Sequence, residues 1–445
     1  MAHQTEQNLL ESLKLDEPCF PCRRPPDPNP IVPVEESHDE QHHGEKPSVY
    51  KVPPYITKLN DEAYQPQVVS FGPYYHGKHR LLPMEEHKHR ARVHFLKLSG
   101  KFPETFLESW RKVEHELKDS YDALDLKWKE ATGDQFPELM ITDGCFMLEI
   151  LRATIEDVND YAPNDPIFSI DRLKFIEPYI SQDMLLLENQ LPMQVLYKLV
   201  ADVNNGKEDY VNHLIGEFYF PGENKTFTGL GKCLHVLDVF RRGLLMEPEE
   251  VQPDLETDPI IIRSATELQE AGIRFKPSKT NSLKDIHFDR GLLELPLITV
   301  DDTTKSTFLN AMTFERLHSK VGNEVTSYVI FMDKIINIDQ DVALLHAKGI
   351  IQNYIGSDKA VANLFNSLCK EVTLPSNISL DVVQKKIDEY CNKSWNKWMY
   401  NLNHWRANLD RTYFSSPWAA LSLIGAIFLY ALTVLQIVYI VLAYY

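Results

Sequence analysis

The end of the chain constrains the fold more than any other feature, because residues 415–445 carry no charged side chain. A helix rises about 1.5 Å per residue, so roughly 20 apolar residues cross a hydrocarbon layer of ~30 Å. Trp418 lies at one end of the apolar run, and Tyr444 and Tyr445 lie at the other, as interface aromatics do. The pattern predicts a C-terminal transmembrane helix over 415–445. The alternative is a buried core helix, but core helices rarely need apolar residues on every face.

The charges before this run predict the orientation of the expected anchor. Four basic residues and one acid, Asp410, lie between Asn392 and Phe414. Positive flanks stay on the cytosolic side, which places the rest of the chain in the cytosol. The N-terminus has no pattern of a secretory signal. We therefore expect a tail-anchored, single-pass protein of the plasma membrane or an endomembrane. The basic residues are Lys393, Lys397, Arg406 and Arg411.

The bulk composition limits the size, partners and redox state of the protein. The chain has 445 residues, of which 43% are hydrophobic, so it is long enough for one large or two ordinary cores. Its formal net charge of −18 repels phosphate backbones, which argues against nucleic-acid binding. The cysteines are sparse and mostly fall in apolar helical patterns, so we expect reduced, buried thiols. They are Cys19, Cys22, Cys145, Cys233, Cys369 and Cys391.

The patterns along the chain predict a mainly α fold, with a large helical soluble domain, a few short β-strands and the transmembrane helix. A disordered, proline-rich and acidic arm covers 1–47, because such a composition buries too little apolar surface to offset ordering entropy. The helical N-terminal part of the domain covers 48–250, and a second part with short strands and then helices covers 251–376. A juxtamembrane stalk helix at 377–414 leads into the anchor at 415–445.

Apolar periodicity predicts the individual elements. Apolar residues recur every three or four positions from Phe106 to Trp128, which indicates one continuous helix that packs into the core or forms a coiled-coil seam. Leu292–Val300 is predicted as an edge strand or two short pieces, because Pro296 interrupts it. The other predicted helices start near Met84 and cover 137–156, 182–203, 207–218, 230–245, 304–320, 324–337, 340–352 and 357–370. The other predicted strands are 260–263, 273–275 and 286–288.

One set of residues has the spacing of a zinc site. Cys19 and Cys22 are followed by His38 and His42, which matches a Cys-Cys-His-His pattern. Prolines fill the interval between the two pairs, and no helical pattern precedes the histidines. We therefore favour a flexible arm over a zinc site, and no metal ligand is assigned.

A basic segment from His76 to Lys97 stands out in this acidic chain and contains His87, His89 and His94. No carboxylate accompanies these histidines at the spacing of metal ligands, so a solvated basic face is the better interpretation. The sequence leaves open whether this segment binds an acidic partner or pairs with the protein's own acids.

Catalytic motifs are incomplete in this sequence. The run Gly229–Lys232 lacks the first glycine and the hydroxyl residue of a phosphate-binding loop, and no Gly-X-Ser-X-Gly elbow occurs. The Asp143–Gly144 pair indicates a helix start. Isolated acids that cap helices or pair with arginine are commoner than catalytic ones, so no catalytic or cofactor-binding residue is assigned. The acids within apolar helical patterns that are candidates for a carboxylate site are Asp143, Glu149, Glu188 and Asp238.

Several segments, in order along the chain, carry a resemblance to a known family. They are Val68–His76, Met84–Lys88, Asp143–Glu149, Asp183–Pro192, Ser264–Gly272, Gly356–Asp358 and Leu364–Cys369. From about Val49 to the C-terminus the chain resembles the plant domain-of-unknown-function 247 proteins. The resemblance implies no enzyme activity, cofactor or catalytic residue, because none is established for that family. Some members in grasses lie at self-incompatibility loci and are regarded as pollen-side recognition determinants, so the resemblance implies a recognition role.

The sequence as a whole predicts a membrane-tethered protein–protein recognition protein without catalytic activity, in a self-incompatibility setting or another one. Its partners would be membrane lipid, through the terminal helix, and a protein of unknown identity. Self-association through Ser422 and Ala426 stays open. The alternative is a membrane-bound enzyme that uses a carboxylate or His76 in a pocket. Polar groups that converge in a deep pocket would favour the enzyme, and a broad exposed patch would favour binding.

Overall fold

The structure is a computed structural model of the chain, and within the described residues the fold is mainly helical with short strands. The described residues are 47–58, 60–99, 103–156, 160–204, 208–223, 225–246, 263–318, 320–371, 380–392 and 417–444.

Most of the described elements are helices, and the short strands all come after residue 270. The helices are α1 (Pro54–Thr57), α2 (Leu82–Ser99), α3 (Pro103–Arg111), α4 (Glu114–Asp119), α5 (Leu126–Lys129), α6 (Gln135–Ile155), α7 (Ile170–Asp183), α8 (Met193–Asn204), α9 (Glu208–Tyr219), α10 (Val236–Leu244), α11 (Ala265–Glu270), α12 (Thr304–Leu317), α13 (Glu324–Ile335), α14 (Asp339–Ala347), α15 (Asp358–Leu368), α16 (Asp381–Asn392) and α17 (Pro417–Tyr444). Short 3-10 helices cover Asp61–Tyr64, His79–Leu81 and Cys369–Glu371.

The strands form two small sheets. They are β1 (Arg274–Pro277), β2 (His287–Asp289), β3 (Leu292–Leu295), β4 (Ile298–Val300) and β5 (Ile351–Asn353). The first sheet has the order β1-β3-β2, with β1 parallel and β2 antiparallel to β3. In the second sheet β4 pairs with β5 in parallel. Pro296 lies between β3 and β4, so the predicted run over Leu292–Val300 is two short pieces, one of the two alternatives.

Helix α6 is central to the part of the fold that precedes residue 250. Nearly all of its side chains up to Leu151 are buried, and α2, α8 and α9 pack against it. Gly144 lies in the middle of α6, where a Cβ atom would be 2.5 Å from Leu199 Cδ1 and 2.9 Å from Val195 Cγ1 on α8. The glycine therefore permits the close approach of α6 and α8, and the predicted helix start at Asp143–Gly144 is wrong.

The core is continuous through the described part of the chain. Buried apolar residues from Val49 to Cys391 belong to one cluster, to which α12, α13, α14 and α15 contribute in the later part of the chain. The predicted division between 48–250 and 251–376 stays a prediction, and residues on both sides of it belong to this cluster.

The predicted continuous helix from Phe106 to Trp128 is wrong, because the chain forms α3, α4 and α5 instead. Tyr121 forms a β-bridge with Val49, and Ala123 adopts a φ of 47°. An α-helix cannot pass through a residue in this left-handed region. The stripe still packs into the core, as one alternative predicted. Its buried members are Phe106, Trp110, Leu117, Tyr121, Leu124 and Trp128.

The predicted helix at 182–203 is correct only in its second half. Helix α7, which was not predicted, ends at Asp183, and α8 begins directly after Pro192. The intervening Met184–Pro192 segment is not helical, and long-range hydrogen bonds hold it: Asn189 Nδ2 donates to Val69 O, and Leu187 N donates to Asn310 Oδ1. The predicted helix at 340–352 likewise ends at Ala347, and β5 follows.

The predicted transmembrane helix over 415–445 is wrong. Within the described residues, no helix has both the length and the apolar composition that a membrane crossing requires. A crossing needs about 20 residues. The fold class is therefore corrected to mainly α, without a transmembrane helix in the described part of the chain.

Other predictions concern residues outside the described ranges. They include the arm at 1–47 apart from its last residue, the zinc pattern at Cys19, Cys22, His38 and His42, and the strand at 260–263 apart from its last residue. The predicted stalk at 377–414 is described only over 380–392, where α16 lies. In α16, Val383, Ile387 and Cys391 are buried, so this part of the predicted stalk packs on the domain.

Candidate functional site

The segment Gln67–Gly72 is an extended loop that polar side chains from elsewhere hold in place. Asp183, at the end of α7, accepts hydrogen bonds from the backbone N–H groups of Gln67, Val68 and Val69 at 2.7, 2.7 and 2.8 Å. Burial raises the pKa of Asp183 to about 6, although the three N–H donors oppose this effect. The carboxylate thus substitutes for the strand partner that this loop lacks.

Asn189 fixes the next part of the same loop. Its Oδ1 accepts a hydrogen bond from Phe71 N at 2.8 Å, and its Nδ2 donates to Val69 O at 3.0 Å. The segments Val68–His76 and Asp183–Pro192, which carried the family resemblance, are therefore in direct contact. Their polar residues have a structural role that periodicity does not reveal.

A buried ion pair supports the loop at Gly72. Asp143 Oδ2 accepts a hydrogen bond from Gly72 N at 2.9 Å, and Lys88 Nζ lies 2.6 Å from Asp143 Oδ1 and 2.7 Å from Glu85 Oε1. Lys88 and Asp143 are both fully buried. Burial raises the pKa of Asp143 to about 6, whereas the ammonium of Lys88 opposes the increase.

The loop leads into a cavity of about 450 Å³, which we call the basic cavity. Its wall comes from the segment before α1, the segment Gln65–Arg80, the region of α5, and the segment before α8. Buried Pro73, Tyr75 and Trp128 form its floor, and exposed charged side chains form its rim. The lining residues are Lys51, Gln65, Pro73, Tyr74, Tyr75, His76, Lys78, Arg80, Asp125, Lys127, Trp128 and Glu188.

The charges of the basic cavity contrast with the net charge of −18 of the whole chain. Its acids already have partners. Lys51 Nζ lies 3.7 Å from Asp125 Oδ1, while Glu188 accepts hydrogen bonds from Val52 N at 2.6 Å and from Tyr75 Oη at 2.9 Å. Burial raises the pKa of Glu188, and these two donors oppose it. The carboxylate of Glu188 therefore has a structural role in the cavity wall.

Three cations on the rim have no carboxylate partner within ion-pair distance among the described residues: Lys78, Arg80 and Lys127. Arg80 Nη2 instead donates a hydrogen bond to Gln65 Oε1 at 2.9 Å. The ammonium of Lys127 lies 4.8 Å from the centre of the Trp128 ring, and that of Lys78 lies 5.9 Å from the Tyr75 ring. These contacts orient the cations without neutralising them.

His76 is the histidine that the cavity contains. Its ring lies edge-on to Trp128 with centroids 5.5 Å apart, and its Nδ1 has no hydrogen-bond partner within the described structure. The nearest carboxylate oxygen in an ion-pair contact, Glu85 Oε2, is 3.9 Å from Nδ1. Burial lowers the pKa of His76; Glu85 opposes the decrease, and Lys88 and Lys127 add to it. The ring is therefore neutral near pH 7.

The four acids proposed for a carboxylate site do not meet. Asp143 pairs with Lys88, as described, and Glu188 lies alone among them at the cavity. Glu149 accepts hydrogen bonds from Arg152 at 3.0 Å and contacts His94 Nδ1 at 2.8 Å. Asp238 lies in the first turn of α10 and pairs with Arg242 at 3.0 Å. The arrangement matches isolated, paired acids.

One alternative for the basic segment His76–Lys97 is confirmed in part, because several of its cations pair with the protein's own acids. Binding of an acidic partner by this segment stays a prediction. Lys88, Arg90 and His94 contact the protein's own acids, whereas Lys78 and Arg80, just after His76, lie on the cavity rim. The sequence pattern did not indicate Lys51 and Lys127 as site residues, because only the fold brings them to this segment. Among the described residues no cluster of three or more His, Cys, Asp and Glu side chains forms a metal site.

Comparisons with known proteins extend over the loop and the cavity. A family model described as a plant protein of unknown function, DUF247, matches residues 49–432. A UPF0481 protein of Arabidopsis thaliana is 30% identical over 428 residues, which cover 89% of this chain and 86% of the relative. A second UPF0481 protein of that plant is 27% identical over 190 residues, 41% of this chain and 35% of the relative. No solved structure matches the chain.

Proposed function

Because the chain belongs to the DUF247 family of plant proteins, whose function is unknown, we propose a function from the basic cavity: recognition of an anionic group on a partner protein, without catalysis. One observation carries the proposal. Lys78, Arg80 and Lys127 present positive charge at the rim of a cavity, and none has a carboxylate partner among the described residues.

The size of the cavity supports binding of a single group from a larger partner. Pockets for small ligands usually measure about 300–1,000 Å³, so a cavity of about 450 Å³ admits one side chain or a small molecule. The acidic exterior would repel a generally acidic partner, but the Debye length of ~8 Å at physiological ionic strength screens remote charges. The local cations therefore decide what enters.

The arrangement of His76 and Glu188 supports binding over catalysis. A general base needs a partner or substrate proton within about 2.6–3.2 Å and usually a group that orients it. His76 Nδ1 is 3.9 Å from Glu85 Oε2, and both oxygens of Glu188 already accept structural hydrogen bonds. None of the residues that line the cavity in the described structure is a serine, threonine or cysteine.

Proximity labelling in plant cells tests the proposal. The full chain fused to a labelling enzyme is compared with a Lys78→Glu/Arg80→Glu variant, which reverses the charge of the rim. We expect the labelling of a defined set of neighbouring proteins to fall at least fivefold in the variant. The matched control is Arg172→Glu/Lys174→Glu, which makes the same charge change at exposed positions of α7 away from the cavity lining. Equal labelling by all three proteins would refute recognition through this cavity.

An enzyme remains the second candidate, because His76 lies in a cavity with an unpartnered ring nitrogen and a lowered pKa. The test is untargeted metabolite profiling of plant extract incubated with the purified protein and with a His76→Asn variant. An enzyme would consume a compound only in the presence of the wild type. A recognition protein leaves both profiles the same, and its neighbours persist when His76 is replaced.

The cellular setting is also a proposal. A pollen-side role in self-incompatibility is consistent with a recognition protein, and the cytosolic placement of the domain is a separate expectation. Quantitative proteomics of pollen, stigma and leaf tests the first. Absence of the protein from pollen, with abundance elsewhere, would remove that setting without changing the proposal for the cavity.

A further inference from the structure

We infer that the group bound in the basic cavity is the dianionic phosphate ester of a partner side chain, an inference that rests on the function proposed above. The observation behind it is the number and kind of the cations. Lys51, Lys78, Arg80 and Lys127 line the cavity against two carboxylates, Asp125 and Glu188, so the lining carries a formal excess of two positive charges with His76 neutral.

A dianion matches this excess, whereas a carboxylate leaves one unit of positive charge unmatched. Lys51 is within ion-pair distance of Asp125, so the cations available to a ligand are those without a carboxylate partner in the described structure. A second negative charge a few ångströms from two cations is expected to raise affinity about tenfold even near the dielectric limit of water. Charge therefore discriminates a phosphate ester from an aspartate or glutamate side chain.

The geometry of Arg80 adds directional recognition. Its guanidinium donates one hydrogen bond to Gln65 Oε1 at 2.9 Å, and Gln65 Nε2 in turn donates to Asp61 Oδ2 at 2.5 Å. This chain orients the guanidinium and leaves its other N–H donors for a ligand. A planar guanidinium forms paired hydrogen bonds with phosphate oxygens, and the nearby lysine ammonium groups act as point charges.

The floor of the cavity suits the carbon part of an esterified side chain. Pro73, Tyr75 and Trp128 are buried beneath the rim, and the edge-on His76 ring extends this surface. Inorganic phosphate would use the rim alone. An aromatic ester, such as phosphotyrosine, would use the rim and the floor together, so we expect it to bind more tightly than phosphoserine.

Isothermal titration calorimetry on the full chain tests the inference, with four probes at pH 7.5 and fixed low salt. They are N-acetyl-phosphotyrosine amide, N-acetyl-phosphoserine amide, N-acetyl-glutamate amide and glycerol 3-phosphate. We expect phosphotyrosine amide to bind at least tenfold more tightly than glutamate amide. Lys78→Ala/Arg80→Ala should weaken it at least tenfold, whereas the control Arg172→Ala/Lys174→Ala should change it less than twofold. Affinity should also fall below pH 6, where a phosphate ester gains a proton.

Other outcomes separate this inference from the proposed function. Equal affinity for glutamate amide and phosphotyrosine amide would refute the inference that the bound group is a phosphate ester. Failure of all four probes to bind would refute it as well. If glycerol 3-phosphate binds as tightly as the amino-acid esters, the phosphate does not have to belong to a protein side chain. That result would favour a lipid headgroup or a metabolite as its source. If the Lys78→Glu/Arg80→Glu variant still loses its labelled neighbours, the proposed function survives these failures. If those neighbours persist as well, both proposals fail.

Discussion

Lys88→Met tests whether the buried ion pair supports the loop that forms the cavity. In the wild type, Lys88 Nζ lies 2.6 Å from Asp143 Oδ1 and 2.7 Å from Glu85 Oε1, with Lys88 and Asp143 fully buried. Removal of one member of such a pair leaves an uncompensated charge and costs about 3–5 kcal/mol of unfolding free energy. With a urea m-value of about 3 kcal/mol/M, the midpoint of unfolding should fall by roughly 1–1.7 M at pH 7.5.

The pH dependence of this loss provides a second check. Without Lys88 the pKa of Asp143 should rise further above about 6, so the folded variant binds a proton more readily than the unfolded chain. Stability of the variant therefore improves as the pH falls, and the difference from the wild type should shrink between pH 8 and pH 5. Urea unfolding followed by circular dichroism measures both effects.

Two further variants test whether the loss of stability comes from the broken ion pair. Lys97→Met removes an exposed lysine from the same helix, α2, and should change the unfolding free energy by less than about 0.5 kcal/mol. Lys88→Met/Asp143→Asn removes both charges but keeps an acceptor for Gly72 N, so it should recover much of the loss. A loss in Lys88→Met no larger than in Lys97→Met would refute the account, as would a double variant with the summed losses of its two single substitutions.

Two more changes test packing and titration. Gly144→Ala should lower the unfolding free energy by about 1–3 kcal/mol, because its Cβ would lie 2.5 Å from Leu199 Cδ1. Thermal unfolding measures this loss, with Gly425→Ala as the control because a Cβ atom there has open space. Equal melting temperatures of the two variants would contradict the prediction. Burial lowers the pKa of His235 from 6.5 to about 3, so the folded state binds fewer protons and the wild type loses stability as the pH falls from 6.5 towards 3. His235→Asn should reduce this loss by up to about 1.4 kcal/mol per pH unit. Urea unfolding at pH 7 and pH 5 measures how the unfolding free energy changes with pH. The same pH dependence in the variant and the wild type would contradict the prediction.

Local apolar periodicity was sufficient to predict helices such as α6 and α9. The predictions at 137–156 and 207–218 differ from Gln135–Ile155 and Glu208–Tyr219 by no more than two residues at each end. In these segments the apolar pattern and the final burial agree, so the sequence carries the signal. The split of β3 and β4 followed from Pro296 in the same way.

Tertiary contacts decided the elements that periodicity predicted wrongly. The stripe that ends at Trp128 is helical in pattern, but the bridge from Tyr121 to Val49 and the positive φ of Ala123 interrupt the helix. Likewise, the side chains of Asp183 and Asn189 accept hydrogen bonds from backbone N–H groups of the loop Gln67–Gly72. Such hydrogen bonds join residues more than 100 positions apart, and no local pattern encodes them.

The candidate site was predicted only in part. The basic segment from His76 to Lys97 identified His76, Lys78 and Arg80 as members of an unusual charge pattern. Lys51, Lys127 and Glu188 join them only because separate loops converge on one cavity. A charge pattern shows which residues are unusual for the chain, but the fold determines which of them pair internally and which remain for a partner.

Lysine footprinting tests recognition through the basic cavity most directly. Lysine acetylation is quantified by mass spectrometry on the purified protein and on the protein in native complexes isolated from plant cells. If a partner occupies the cavity, acetylation of Lys78 and Lys127 should fall severalfold in the complexes, while that of exposed Lys174 stays the same. Unchanged acetylation of Lys78 and Lys127 in complexes that demonstrably contain a partner would contradict the account.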